Sequence, residues 1–276
     1  MPTILVTGVS TGIGRALAER YARDGWRVIG TVRDPARAGD VSWPGEVHLE
    51  ALELAERGSG AALAARVLER WGCPDVVVNN AGSLQFGPVE AVGPDEMESL
   101  FRINVFEQVA LAYGFVPAMR ERGSGTIVNV TSLGGRMTFP FFSVYNATKH
   151  ALEGLSEGMW HELSPFGIRV KAVEPGFVET AIWGKVLPKS ADELDVPVPY
   201  REAMLSMLTF EHAITDRTPP TKAAEEIAQA IADPADRLRY PVAAYARPIL
   251  QARRILGDRF MMRFFHKKWM GDADTG

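Results

Sequence analysis

The chain is poor in the residues that build covalent or metal-held frameworks: one cysteine, Cys73, and five histidines in 276 residues. A lone thiol excludes an intramolecular disulfide, and these few residues show no Cys/His ligand spacing, which argues against a zinc site. No apolar run is long enough to span a bilayer. Internal repeats, low-complexity tracts and Gly/Ser/Pro linkers are also absent. A formal charge of -4, with no basic cluster outside the C-terminal segment, argues against a nucleic-acid partner. Met1-Pro2-Thr3-Ile4-Leu5 lacks the basic flank of a secretory signal, so the sequence reads as cytoplasmic.

What is present is apolar and alternates. Hydrophobic residues make up 46% of the chain, enough for a core on both faces of a sheet. Short apolar runs near 47–52, 75–79, 125–131, 168–174 and 238–242 read as strands. Helical patterns lie near 58–71, 95–121, 143–163, 200–212 and 220–232. Alternation of this kind predicts an α/β fold, a single doubly wound domain over 1–276 with a central parallel sheet and helices on both faces.

The first strand, from Thr3 to Thr7, opens into a turn holding Gly8, Ser10, Thr11, Gly12, Ile13 and Gly14, and a helical stretch follows. In this reading Gly8 permits the turn, Gly12 the approach of a diphosphate to the helix N-terminus, and Gly14 the packing of helix on sheet. The spacing is not Gly-x-Gly-x-x-Gly, so the strand-turn-helix context carries the argument, and a purely structural turn stays open. The second strand ends at Val32 with no carboxylate for a ribose 2'-hydroxyl. Arg33 stands there instead, which suits a 2'-phosphate and favours NADP, with NAD the second choice. A surface pair with Asp34 is the plainer alternative for Arg33.

Tyr145 and Lys149 stand four residues apart, which puts both on one face of a helix. An ammonium beside a phenol favours its ionised form. Ser132 follows the apolar run Thr126–Val130, so its hydroxyl emerges at the carboxyl edge of a strand, where open α/β sheets bind ligands. A Tyr-x-x-x-Lys pair alone occurs by chance in most proteins.

Assembled in order, these residues resemble the short-chain dehydrogenase/reductase family, from Thr3 to about Thr180, in the branch containing hydroxysteroid and retinol dehydrogenases. The matching residues are Thr7-Gly8-x-x-x-Gly12-Ile13-Gly14, Asn79-Asn80-Ala81-Gly82, Asn104, Ser132, Tyr145-x-x-x-Lys149 and Pro175-Gly176-x-x-x-Thr180. The resemblance implies that Tyr145 is the general acid or base and that Ser132 orients the substrate oxygen. It implies that Lys149 lowers the tyrosine pKa and holds the nicotinamide ribose, while Asn104 positions a relaying water. Asn80, Ala81 and Gly82 would border the adenosine side of the cofactor, and Pro175, Gly176, Val178 and Thr180 its nicotinamide and diphosphate. Two positions depart from the family pattern. Glu53 stands where Asp commonly meets adenine, and Glu174 precedes Pro175 where Asn is frequent. Family members commonly form dimers or tetramers, which makes Leu152, Leu155 and Trp160 interface candidates by analogy.

On the substrate side, a long connection at about 181–218 reads as a lid. Within it Tyr200, Ala203, Met204, Met207 and Leu208 share one helical face, suited either to an adaptable cover or to plain core. Leu84, Phe86, Phe139, Phe142 and Trp183 flank the motif residues and are candidate pocket residues. A helical tail near 244–270 is basic and aromatic, as in an interfacial membrane helix, though packing against the pocket mouth or another subunit would satisfy it equally. The expected activity is NADP(H)-dependent interconversion of a hydrophobic ketone and a secondary alcohol. A non-catalytic nucleotide sensor, an acyl-chain ketoreductase of the same family and a sugar-nucleotide epimerase or dehydratase are the rivals, the last disfavoured because Gly8, Gly12 and Gly14 do not fit a Gly-x-x-Gly-x-x-Gly spacing.

Overall fold

The computed structural model describes residues 1–37, 42–182 and 196–270. In its first half β1 (Thr3–Val6), α1 (Gly12–Arg23), β2 (Arg27–Val32), β3 (Val47–Ala51), α2 (Ser59–Trp71), β4 (Val76–Asn79) and α3 (Pro94–Phe101) follow one another. Next come α4 (Glu107–Arg122), β5 (Gly125–Val130), α5 (Ser143–Leu163) and β6 (Ile168–Pro175). The chain closes with α6 (Arg201–Ala213), α7 (Pro220–Ala232), β7 (Arg239–Val242) and α8 (Ala246–Met270). Trp183 and most of the first half of the expected lid fall outside the described residues.

All seven strands run parallel in the order β3-β2-β1-β4-β5-β6-β7. From β1 the chain builds outward to β3, then returns to the other side of β1 for β4. The crevice at the carboxyl ends of β1 and β4 is therefore the topological switch point, where such sheets receive ligands. Period-two alternation sends neighbouring strand residues to opposite layers. Ile4 and Val6 pack with Leu17 and Tyr21 of α1 and Ile227 and Ile231 of α7. Leu5 packs on the other face with Leu63, Phe115 and Met159, from α2, α4 and α5.

One expected helix, near 95–121, is divided. Between α3 and α4 the backbone widens into a π turn over Arg102–Phe106, with Asn104 buried in it. The freed Ile103 carbonyl accepts from Gln108 Nε2 at 2.8 Å, and the same nitrogen reaches the Ala81 carbonyl at 2.5 Å. A side chain thus repairs the opened ladder and ties it to the loop after β4. Of the interface candidates, Leu152 is buried against Val105 and Val109, with Leu155 packed at the edge of that cluster, and Trp160 donates to Asp236 at 2.7 Å.

Candidate active site

A cavity of about 480 Å³ runs across the carboxyl ends of the strands, from the glycine turn past Tyr145 to Ile182. At the turn, Gly8 has φ +73° with Ala81 against it, and Gly12 has φ +62° with Thr180 beside it. Both are left-handed positions that side chains rarely adopt. Gly14 does not line the cavity. A Cβ there would lie 2.3 Å from the Gly8 carbonyl oxygen and 2.5 Å from Asn80 Nδ2, so it is the close-packing glycine. The first turn of α1 carries no acidic residue, and its N-cap, Thr11, makes no side-chain cap. Its backbone N–H groups and positive dipole end are thus left for an anion.

Threonines hold this turn. Thr7 Oγ1 accepts the Asn80 and Ala81 amides at 2.8 and 2.9 Å, and Asn80 Nδ2 donates back to the Thr7 carbonyl at 2.8 Å. From the other side, the Thr31 carbonyl accepts the Gly8 and Val9 amides at 3.1 and 3.0 Å. Asn80 is thus a strut between β1 and β4 as well as a cavity residue. Arg33 lies exposed at the cavity's edge, and Asp34 accepts the Ala36 amide at 2.9 Å. Glu53 also lines the cavity, its carboxylate accepting the Ala55 amide at 3.0 Å.

At the reacting end, Ser132 Oγ accepts the Gly134 amide at 2.9 Å, which leaves its own proton to give. Tyr145 is half-buried in exposure but desolvated at its hydroxyl. Burial raises its pKa, and a hydrogen bond with Ser132 works in the opposite direction. Lys149, expected to lower the phenol, is not among these causes. Lys149 is itself buried, its Nζ donates to the Val130 carbonyl at 3.0 Å, and it stands 5.9 Å from the Tyr145 ring centroid. Burial brings the ammonium down to about 8, partly countered by the charge of Glu153 one turn along α5.

Asn104 is fully buried and does not line the cavity. Its Oδ1 accepts the Ser83 amide at 2.8 Å, and its Nδ2 donates to the Ser83 carbonyl at 2.9 Å and to Thr148 Oγ1 at 3.0 Å. The amide ties the π turn, the loop after β4 and α5 together. Glu174 is buried beneath the site, 2.8 Å from Arg136 and 3.8 Å from Arg239. Arg239 also meets Glu153 at 2.9 Å, and Glu153 accepts from Thr131 at 2.6 Å. Burial first, and Glu153 second, hold the Glu174 carboxyl above its ordinary pKa.

Ser10, Thr11, Gly12, Ile13, Ala81, Gly82, Pro175, Gly176, Val178 and Thr180 all line the cavity, as do Leu84, Phe139 and Phe142 on the apolar side. Met204, Met207 and Phe86 do not. The two methionines are 1% exposed and pack under the wall with Phe141, Phe142 and Trp269. Phe86 braces that wall from behind, its ring 5.0 Å from Phe142. Helical periodicity marks a buried face without saying what it faces. Sequence reasoning also missed Phe177 and Ile182 as cavity residues, and Asn146, whose Nδ2 donates to the Phe139 carbonyl at 3.2 Å. Asn146 follows Tyr145 directly, and that adjacency was the available signal.

Seven parallel strands under two helical layers, with a glycine turn at the switch point, place the chain among Rossmann-type folds. More narrowly, it belongs to the short-chain dehydrogenase/reductase family of oxidoreductases, whose short chain dehydrogenase model matches residues 2–191. Human 17-beta-hydroxysteroid dehydrogenase type 1 is 37% identical over 268 residues, covering 91% of this chain and 80% of that protein. A short-chain dehydrogenase from Streptomyces avermitilis superposes with a TM-score of 0.83 at 36% identity, over 98% of this chain and 96% of that one. A Sphingobium yanoikuyae short-chain dehydrogenase in complex with NADPH gives 0.72 at 26% identity, over 100% of this chain and 97% of its own.

Proposed function

We propose that the protein is an NADP(H)-preferring oxidoreductase that interconverts a bulky hydrophobic ketone and its secondary alcohol, with Tyr145 as general acid and base. The observation that carries the reading is a single cavity joining an uncapped helix N-terminus and Arg33 to the Ser132–Tyr145 corner. The chain's residues fit the cofactor: Gly8 and Gly12 keep the turn clear of side chains, the α1 amides would hold a diphosphate, and Arg33 would meet a 2'-phosphate. Bound there, the nicotinamide supplies or accepts the hydride.

The protein's own part is acid–base and orienting. In reduction Ser132 donates to the substrate oxygen and Tyr145 gives it a proton, so charge developing on that oxygen meets donors already in place. Below about pH 8 Lys149 keeps its positive charge near the phenol. Leu84, Phe139, Phe142 and Ile182 give the corner apolar walls. Similarity to a human 17-beta-hydroxysteroid dehydrogenase supports a bulky hydrophobic substrate of hydroxysteroid type.

The test is cofactor consumption with NADPH and NADH over a panel of hydrophobic ketones. Tyr145→Phe should bind NADPH normally while losing at least about a hundredfold in turnover. Retained turnover sinks the acid–base assignment. Tight binding without consumption by either protein supports a nucleotide sensor instead. Arg33→Ala should weaken NADPH roughly tenfold or more with little change for NADH, because a charge-assisted contact is lost.

A further inference from the structure

We propose that the C-terminal helix α8 is a docking surface for an anionic lipid bilayer. The helix carries seven Arg and Lys against one acid, Asp258, in a chain whose total charge is -4. Asp258 is itself paired with Arg253 at 2.7 Å. Arg254, Arg259 and Arg263 are exposed, and among the described residues none of the three meets a carboxylate. Between these cations stand large apolar groups in water: Ile255 is 80% exposed, Phe260 52%, Phe264 50% and Leu256 49%. Phe260 and Phe264 stack one turn apart, with centroids 6.5 Å apart and planes at 11°. Gly257, with φ 79°, interrupts the helix, so Ile255 and Leu256 end one helical run and the phenylalanines begin the next.

Apart from an edge contact of Phe264 with Phe265 at 5.3 Å, these side chains do not hold the helix in place. Its inner side does that, with Met261 and Trp269 buried and Phe265 stacked on Trp269 at 4.8 Å. Trp269 also packs against Phe210 at 5.3 Å. The outer side combines exposed aromatic and aliphatic groups with guanidinium groups that meet no carboxylate among the described residues, the combination that seats a helix at a lipid headgroup boundary. A second copy of the chain fits less well, because a two-fold interface would bring two copies of this positive patch together. An anionic bilayer supplies the counter-charge and takes up the rings together.

Docking would also bring the site close to the lipid. Phe139, which lines the cavity, packs on Phe265 at 5.5 Å and on Trp269 at 6.1 Å. A membrane-dissolved substrate would then reach the cavity wall directly. That consequence rests on the hydrophobic-substrate reading above, whereas docking itself does not.

The experiment is co-sedimentation of the full chain with vesicles of phosphatidylcholine alone and of phosphatidylcholine mixed with phosphatidylglycerol, at low and high salt. The expected result is binding to the mixed vesicles that falls at least about tenfold on neutral vesicles or at high salt. Arg259→Ala with Arg263→Ala, and separately Phe260→Ser with Phe264→Ser, should each weaken it by roughly tenfold or more, with thermal unfolding unchanged. No binding to anionic vesicles at low salt, or binding indifferent to both pairs, overturns the proposal. So does a wild-type oligomer that the Phe260→Ser, Phe264→Ser pair dissociates in lipid-free buffer, because the face is then an interface between copies. None of these readouts uses turnover, so failure here leaves the oxidoreductase reading standing, and an inactive protein leaves docking standing.

Discussion

At Tyr145 the environment sets the direction of the pH response. Burial holds the phenol above its ordinary pKa, so it stays protonated and able to act as an acid through neutral pH. Reduction should therefore hold level from about pH 6 to 8 and then decline as Lys149, brought down to about 8, loses its charge. Oxidation needs the phenolate and should climb over the same range. Initial rates in both directions across a pH series test this, and oxidation that is flat in pH counts against Tyr145 as the base. Legibility at this scale followed sequence distance. Tyr145, Lys149 and the glycine turn could be read because spacings of a few residues encode them. Thr7 as the acceptor of Asn80 and Ala81 was not legible as such, since its bonds cross more than seventy residues. The burial that raises Tyr145 likewise belongs to the assembled cavity.

At the scale of elements, helices hold one another through buried polar contacts that no periodicity announces. Helix α2 begins after Gly58, which has no side chain with which to cap it. Glu107, at the start of α4, supplies the cap from outside, its two oxygens accepting the Gly58 and Gly60 amides at 2.9 and 3.0 Å. The approach is close, since a Cβ at Gly60 would lie 2.0 Å from the Glu107 carbonyl oxygen. Glu107→Ala strips a buried helix terminus of two charge-assisted bonds and should cost about 2–4 kcal/mol, read as a lowered midpoint in urea at unchanged slope. An unchanged midpoint would mean that water replaces the cap without penalty. The same reasoning explains why element boundaries were legible to within a residue or two while the π turn's geometry was not. An asparagine in a helix suggests an interrupted ladder, but only Gln108 bonding to Ile103 shows how it is repaired. Met204 and Met207 repeat the lesson, since their shared face was readable and its position behind the cavity wall was not.

For the whole molecule, one core layer and the site make opposing contributions to alkaline stability. Tyr21 on α1 and Tyr240 on β7 sit in the same core layer, and burial pushes both up to about 12. Their unfolded values are about 10, so above that pH the unfolded chain releases protons that the native one still holds. The stability they contribute is fully present below about pH 10 and is lost as pH rises through about 12. Lys149 acts in the other sense. Its native pKa, about 8, lies below the ordinary lysine value of 10.5, so between those values the unfolded chain binds more protons and stability rises with pH. Together they predict that resistance to urea climbs from about pH 8, peaks near pH 10 and then falls. Lys149→Met should remove most of the climb, because a neutral side chain costs nothing to bury at any pH. Tyr21→Phe should soften the fall without touching the climb. If Lys149→Met instead leaves the climb intact, the lysine is not desolvated in solution, and the burial that brings its ammonium down cannot shape the pH response of turnover either.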